Sequence, residues 1–367
     1  MRELPFSELV ERVTQVARAE STNDESRVRA AINDEYLRNI PNKEDWRFMI
    51  ASSSLVCIIP YNDGTVALNT GDTALTGTST VWDVTMQGRL LKFTDNPNIY
   101  TVTSFLATTS LTISPPLSED INITAGAYTI YQPYYALAPD FSRFQKNIAL
   151  QKFQGGRPSA IREVQGEREY RDFYNSSPGT PEKVRLIDMG TAGVKHVELV
   201  PPPNKAFLFP YDYIKALSPM RETTAGTATA TVAGNVVTFQ AGARIAEMTT
   251  GDFFRIDAFG TGEDSEWYRI MALDAANSQA TLNLTFGRSA ATTALYTVCN
   301  APLMPIELHL AILKGAVMQV MADQTDPTFA LAASERTALL MEARKLYKSR
   351  VYDQDIETVA EDYHYRR

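Results

Sequence analysis

A chain of 367 residues has room for two or three domains at roughly 100 to 200 residues each, and 44% hydrophobic residues with 16 Phe and 17 Tyr exclude a disordered chain. A net charge of −8 argues against a protein that grips duplex DNA through a basic face, while allowing a weakly acidic wall past which DNA slides. No run approaches the roughly 18 to 20 apolar residues of a membrane span, and the start MRELPFSELV has neither a basic n-region nor an apolar h-region, so the expectation is a cytoplasmically made protein with no membrane partner.

Residues 1–55 predict a helical hairpin. Leu4, Leu9, Val10, Val13, Val16 and Ala17 recur at helical spacing, and beyond a polar break at 21–24 a second stripe carries Val28, Ala31, Ile32, Tyr36 and Ile40. Pro41 and Asn42 end it, and Trp46, Phe48 and Met49 lead into an apolar run at 55–60 that suits a strand. Residues 62–132 alternate Thr, Val, Leu and Ile between short Gly, Asn and Asp turns, the pattern of antiparallel strands in a small sandwich or open barrel. Residues 133–222 form a different layer. There a strand at 197–200, a turn carrying Pro201 and Asn204, and a second strand at 206–217 with Phe207, Phe209, Tyr211 and Tyr213 on one face predict a β-hairpin of a separate small sheet.

Residues 224–300 then repeat 62–132. GTVALNTGDTALTG answers GTATATVAGNVVTF, and Gly88 aligns with Gly251, Tyr100 with Tyr268, Leu111 with Leu282 and Tyr128 with Tyr296. The length difference falls in the turn that holds Asp95 and Asn96 in one copy and residues 260–264 in the other. Such self-similarity is read as one supersecondary unit used twice, and a duplicated unit favours a contact surface over a catalytic pocket. Residues 303–352 return to helix. The stretch 305–321 is apolar on most sides and belongs inside a bundle. Asp326 and Pro327 form an N-cap and N1 pair that opens a long helix carrying Leu331, Leu339, Leu340, Ala343, Leu346, Tyr347 and Val351. Residues 353–367 are an extended tail. The predicted class is therefore α+β: a helical bundle from both termini, a central small β layer, and two duplicated antiparallel β modules.

Chemistry is hard to place on this chain. His196, His309 and His364 lack metal-site spacing, and no phosphate-binding loop, dinucleotide fingerprint or nucleophile elbow occurs. Cys57 and Cys299 lie in apolar runs and are expected to be buried free thiols. The acidic run at 260–266 matches a turn in the first copy and reads as a solvated hairpin loop. In the stretch 162–172, Arg162, Glu163, Glu167, Arg168, Glu169, Arg171 and Asp172 alternate in sign, which favours a salt-bridged or subunit-facing surface over an acid/base pair. The expectation is a protein that is not an enzyme and holds no cofactor or metal.

An N-terminal helical hairpin ending near a Trp, a β layer with YALAPDF, a GTPEKVRLID strand, VELVPPPNKAFLFPYDYI and a C-terminal helical pair resemble, over the whole chain though with loose motifs, the head-to-tail adaptor proteins of tailed phages. The resemblance implies a virion protein in a homo-oligomeric ring, usually of twelve subunits, at the neck beneath the portal. It would continue the DNA channel without sequence-specific binding and meet the portal protein, a tail or nozzle protein and tail fibres. It implies a portal contact at the C-terminus, with Leu346, Tyr347, Arg350, Tyr363, Tyr365, Arg366 and Arg367 as candidates, and a lateral subunit contact through Arg162, Glu163, Arg168, Glu169 and Arg171. The simplest family members lack the two large β modules. The alternative is a fibre anchor or collar component that binds fibre or glycan, with Trp82, Trp267, Tyr100 and Tyr268 as stacking platforms; the matching positions of the two tyrosines favour packing instead. A tail-associated hydrolase would need a convergent carboxylate pair that is not found.

Overall fold

The structure is a computed structural model. It describes residues 2–18, 22–118, 122–145, 148–154, 157–164, 166, 170, 177–188, 194–231, 234–240, 242–258, 266–286, 291–321 and 328–347. The Asp326 and Pro327 cap, the carboxylates at 260–265 and the tail lie outside these residues. The chain divides into two units, residues 49–216 and residues 1–48 with 217–367.

The unit 49–216 begins with β1 (Ile50–Val56) and immediately enters the first β module. Its strands are β2 (Thr65–Leu68), β3 (Ala74–Thr78), β4 (Leu90–Phe93), β5 (Ile99–Ala107), β6 (Ser110–Ser114), β7 (Ile123–Gly126) and β8 (Tyr128–Tyr131), hydrogen-bonded in the order β7-β2-β3-β6-β5-β4-β8. Only Ala127 separates β7 from β8, so the two act as one bent strand that closes the cylinder. Tyr61 and Ile130 exchange backbone hydrogen bonds of 2.8 Å each way, which brings the entry and exit of the module together.

The remaining strands build two sheets around one core. β9 (Tyr134–Ala136), β10 (Phe141–Phe144), β11 (Ile148–Gln154), β12 (Arg157–Glu163), β13 (Lys183–Asp188), β14 (Lys195–Val200) and β15 (Leu208–Lys215) give a three-stranded sheet β1-β15-β10 and a five-stranded sheet β11-β12-β13-β14-β9. Leu55, Phe209, Tyr211 and Tyr213 from the first meet Leu150, Ile161, Val184, Val197 and Leu199 from the second. The expected hairpin of 197–200 with 206–217 does not form. β14 pairs with β13 and β9, whereas β15 pairs with β1 and β10. Pro201, Pro202 and Pro203 have no N–H to donate to a ladder, and the chain arches from one sheet to the other. The aromatic alternation was read correctly all the same: Phe209, Tyr211 and Tyr213 face inward, at most 5% exposed.

In the other unit, β16 (Glu222–Thr223), β17 (Ala228–Ala230), β18 (Val236–Phe239), β19 (Phe253–Ala258), β20 (Tyr268–Asp274), β21 (Gln279–Leu282) and β22 (Ala291–Cys299) form the second module, with β19 paired back to β22 to close it. The two modules have one topology: β2, β3, β4, β5, β6 and bent β7–β8 correspond to β17, β18, β19, β20, β21 and β22. The register agrees at the following positions. Gly88 N donates to Val102 O at 2.8 Å as Gly251 N does to Ile270 O, also 2.8 Å, and the glycines sit at φ +84° and +101°. Tyr100 pairs with Leu91 as Tyr268 does with Phe254, and Tyr128 with Phe93 as Tyr296 does with Ile256. One pairing shifts. Ile113 pairs with Val102 as Leu282 does with Ile270, so Leu282 answers Ile113 and not Leu111. Bulges in the β5–β6 hairpin slide the alignment by one inward-facing position, leaving both Leu111 and Ile113 buried.

The helical part of this unit contains α1 (Phe6–Ala17), α2 (Thr22–Asp34), α3 (Ile306–Met321) and α4 (Thr328–Tyr347). α3 packs against the other three and buries Leu308, Ala311, Ile312, Ala316, Val317 and Val320, as its all-round apolar sequence requires. α2 runs into a π-helical turn, Glu35–Asn39, with Ile40 N bonded to Glu35 O at 3.0 Å. No described helix is long and apolar enough to cross a membrane.

Candidate functional site

The C-terminal helix is built unlike an ordinary surface helix. Its inward stripe is thin: Ala332, Leu340 and Ala343 are buried, and between them stands Arg336. Arg336 is ion-paired to Glu35 on the π-helical turn, with Nε donating at 2.6 Å to Oε1. Glu35 is fully buried, and its second oxygen accepts from Asn39 at 2.9 Å and Gln319 at 3.2 Å. Gly315 of α3 supplies the space, since a Cβ there would stand 2.3 Å from the Glu35 carboxyl carbon. Further polar links join Glu335 to Lys314, Arg344 to Glu44 at 2.8 Å, and the Tyr347 hydroxyl to Glu307 at 2.9 Å.

Its larger apolar side chains point the other way. Leu331, Met341 and Leu346 are 59%, 55% and 63% exposed. A helix that turns charge inward and leucine outward has an apolar surface that packing among the described residues does not use.

The candidate C-terminal contacts divide accordingly. Leu346 is exposed, whereas Tyr347 is engaged: its ring packs edge-on against Phe48 at 6.2 Å, and the Glu307 carboxylate that accepts its hydrogen bond raises its pKa. Glu307 is held below the usual carboxylate range by its own backbone N–H first and by Tyr347 second. Arg350, Tyr363, Tyr365, Arg366 and Arg367 lie outside the described residues.

In the other unit, Arg162 and Glu163 are consecutive residues of β12, where they pair with Lys183 and Val184 of β13 and so project to opposite faces. Arg162 is exposed, and partial burial raises the Glu163 pKa. Arg168, Glu169 and Arg171 lie outside the described residues. Tyr170 from the same stretch is tied to the sheet: its hydroxyl donates to Glu198 at 3.0 Å, and the Arg185 guanidinium, 2.8 Å from Glu198, stacks 3.9 Å from its ring centroid.

Three of the four aromatic platforms of the alternative reading are core residues. Trp82, Tyr100 and Tyr268 are each 1% exposed, with no ring face open to a sugar. Trp82 fills volume. Its ring reaches over Gly77, where β3 lacks a side chain, and its Nε1 donates to Tyr128 at 2.9 Å. At the equivalent place the second module has Phe239, packed 5.1 Å from Tyr296. Trp267 is half-buried beneath the Arg255 guanidinium, 4.5 Å from its centroid.

Cys57 and Cys299 are buried free thiols, each pushed up to about 12 by burial, so neither is a thiolate at neutral pH. His309 is buried. Its Nδ1 accepts from Leu4 N at 3.1 Å, and its Nε2 lies 3.1 Å from Met304 O, an arrangement that suits the neutral ring. Among the described residues no group of three or more His, Cys, Asp or Glu is placed to hold a metal ion.

No family model and no curated protein matches this chain. Among solved structures, it is similar to the translation elongation factor SelB of Methanococcus maripaludis, in its apo form and in complex with the GTP analogue GppNHp. Each match has a TM-score of 0.15 and 11% identity and covers 68% of this chain and 62% of that one. The chain thus spans less than two thirds of that protein, and a likeness at this score carries no argument.

Proposed function

We propose that the chain is a structural, non-catalytic head-to-tail adaptor of a tailed phage, one subunit of a ring at the neck of the virion. In this reading the ring lies beneath a portal, continues the DNA channel without reading sequence, and offers an attachment surface to a tail or nozzle protein and to tail fibres. The observation that carries it is the outward apolar surface of α4, with Leu331, Met341 and Leu346 exposed on a helix held inward by charge. The resemblance in element order supports the reading, and the net charge of −8 suits a conduit, because each phosphate neutralised adds salt-dependent adhesion. Of the four platforms of the fibre or collar alternative, Trp82, Tyr100 and Tyr268 are buried and Trp267 is half-buried beneath Arg255, which favours the adaptor reading. The test is the mass and symmetry of the purified assembly by native mass spectrometry and electron microscopy. A closed high-order ring, dodecameric in the resembled family, is expected; a monomer or trimer on and off portal-bearing particles removes the adaptor reading.

A further inference from the structure

In the unit that includes the helices, the turn at 249–252 carries an arginine on either side. Arg221 N donates to Asn300 Oδ1 at 2.8 Å, and Arg269 N donates to Asn283 Oδ1, also at 2.8 Å. Asparagine side chains thus hold both backbones while both guanidinium-bearing side chains remain 48% exposed. Gly251 leaves the space between them open, with Arg269 Nη2 3.9 Å from where a Cβ would be. The cleft they border measures about 690 Å³ and is also lined by Pro219, Phe253 and Leu303. That volume lies within the roughly 300 to 1,000 Å³ of ordinary ligand pockets.

The carboxylates beside these arginines do not satisfy them. Arg221 stands 3.7 Å from Asp252 and Arg269 3.6 Å from Glu3, against about 2.7 to 2.9 Å for a charge-assisted hydrogen bond. Asp252 commits both oxygens to Thr249, at 2.8 Å to its N and 3.0 Å to its Oγ1. By contrast, Arg255 meets Glu11 at 2.7 Å and Arg29 meets Glu222 at 3.0 Å. The cleft therefore offers two positioned guanidinium groups with donors to spare, next to Leu303, which is 73% exposed.

The end of α4 is tied to the start of α3, the helix that follows Leu303 in the chain. Tyr347 is bonded to Glu307, and Glu307 follows Leu303 by four residues, a span of at most about 14 Å. Residues 353–362 read DQDIETVAED, with carboxylates at Asp353, Asp355, Glu357, Glu361 and Asp362, no cation, and Ile356 and Val359 between. The chain from Tyr347 to Asp353 reaches up to about 20 Å when extended. We propose that the acidic segment 353–362 seats in the cleft of its own chain, its carboxylates on Arg221 and Arg269 and an apolar side chain against Phe253 and Leu303. Glu3 and Asp252 weaken the attraction, but a tethered segment needs little affinity, since a short tether gives an effective concentration of about millimolar. The proposal is independent of ring formation and leaves residues 363–367 outside the seat.

The test is hydrogen exchange by mass spectrometry on the full chain in the absence of portal or tail partners. At low salt, residues 353–362 are expected to exchange at least about tenfold more slowly than an unstructured segment. Both Arg221→Gln with Arg269→Gln, and Asp355→Asn with Glu357→Gln and Glu361→Gln, are expected to abolish that protection. Exchange within Ile306–Met321 serves as the folding control. Salt of about 1 M, where screening acts over about 3 Å, is expected to release the segment without any substitution. An unprotected tail in the parent chain, or protection that survives both the arginine substitutions and high salt, overturns the proposal. Protection that grows over about a fiftyfold rise in protein concentration places the segment on a second copy and overturns it equally.

Discussion

At Glu35 the chain balances a buried charge with one cation, Arg336, and two amide donors, Asn39 and Gln319. Removing one member of a buried, hydrogen-bonded ion pair costs about 3 to 5 kcal/mol, whereas replacing both members by apolar groups is often near neutral. Glu35→Ala is therefore expected to destabilise by about 3 kcal/mol, with much of the loss recovered in Glu35→Leu with Arg336→Leu; a denaturant double-mutant cycle measures both. Gly315→Ala should also destabilise, although alanine is the better helix former by about 1 kcal/mol, because its Cβ displaces the Glu35 carboxylate. At His309, burial holds the imidazole pKa below its ordinary value near 6.5. The unfolded chain then takes up a proton that the folded chain refuses, so stability present above about pH 6.5 is lost as the pH falls. His309→Gln should flatten that slope in thermal melts recorded across the interval. Gly88 and Gly251 form a matched pair. Neither site is crowded, so alanine at each should cost only the left-handed backbone penalty of about 1 to 2 kcal/mol, and by similar amounts. Unequal costs in chemical denaturation would mean that the two turns are held differently.

The elements show what a sequence can disclose and where it stops. The duplicated module was legible because period-two alternation and turn glycines repeat together, and the closed order of strands bears out the equivalence of Tyr100 with Tyr268. The alignment slid at Leu111 because every second residue of a strand faces inward, so a slip of two leaves the pattern unchanged. The hairpin at 197–217 was misjudged because aromatic alternation fixes which side faces the core but not which sheet a strand joins; three consecutive prolines carried the missing information. The polar hub had a visible trace that went unread. Glu35 lies seven residues after Val28, on the apolar stripe of α2, and Arg336 lies between Ala332 and Leu340 on the buried stripe of α4. What no periodicity reveals is that these two positions face each other. The apolar residues of α4 were legible as residues, but sequence spacing alone does not say which side of the helix the bundle covers, so the exposure of Leu331 could not be read from it. At this scale the Tyr61 to Ile130 bridge makes a prediction: excising 64–129 and joining the ends with a short linker should leave a soluble, folded remainder, since the excision leaves the two central sheets entire. Loss of all soluble protein would show that the barrel is a folding partner of those sheets.

For the whole molecule, the adaptor reading sets a test at the C-terminus. Truncation after Tyr352 should weaken attachment to portal-bearing particles if the tail anchors the ring, and unchanged attachment would assign the contact to α4 alone, through Leu331, Met341 and Leu346. The nested chain path has a further consequence, in the order of synthesis. Asp34 closes α2, yet α3, which covers its apolar stripe, begins only at Ile306. At about 5 to 20 residues per second, the ribosome takes some tens of seconds to cross that interval. During that time the first barrel can close behind the exit tunnel, while Val28, Ile32 and Tyr36 wait for a partner not yet translated. The nascent N-terminus is thus the segment of this protein most exposed to chaperones and to neighbouring nascent chains, and a subunit cannot complete its bundle before its own last helices are released.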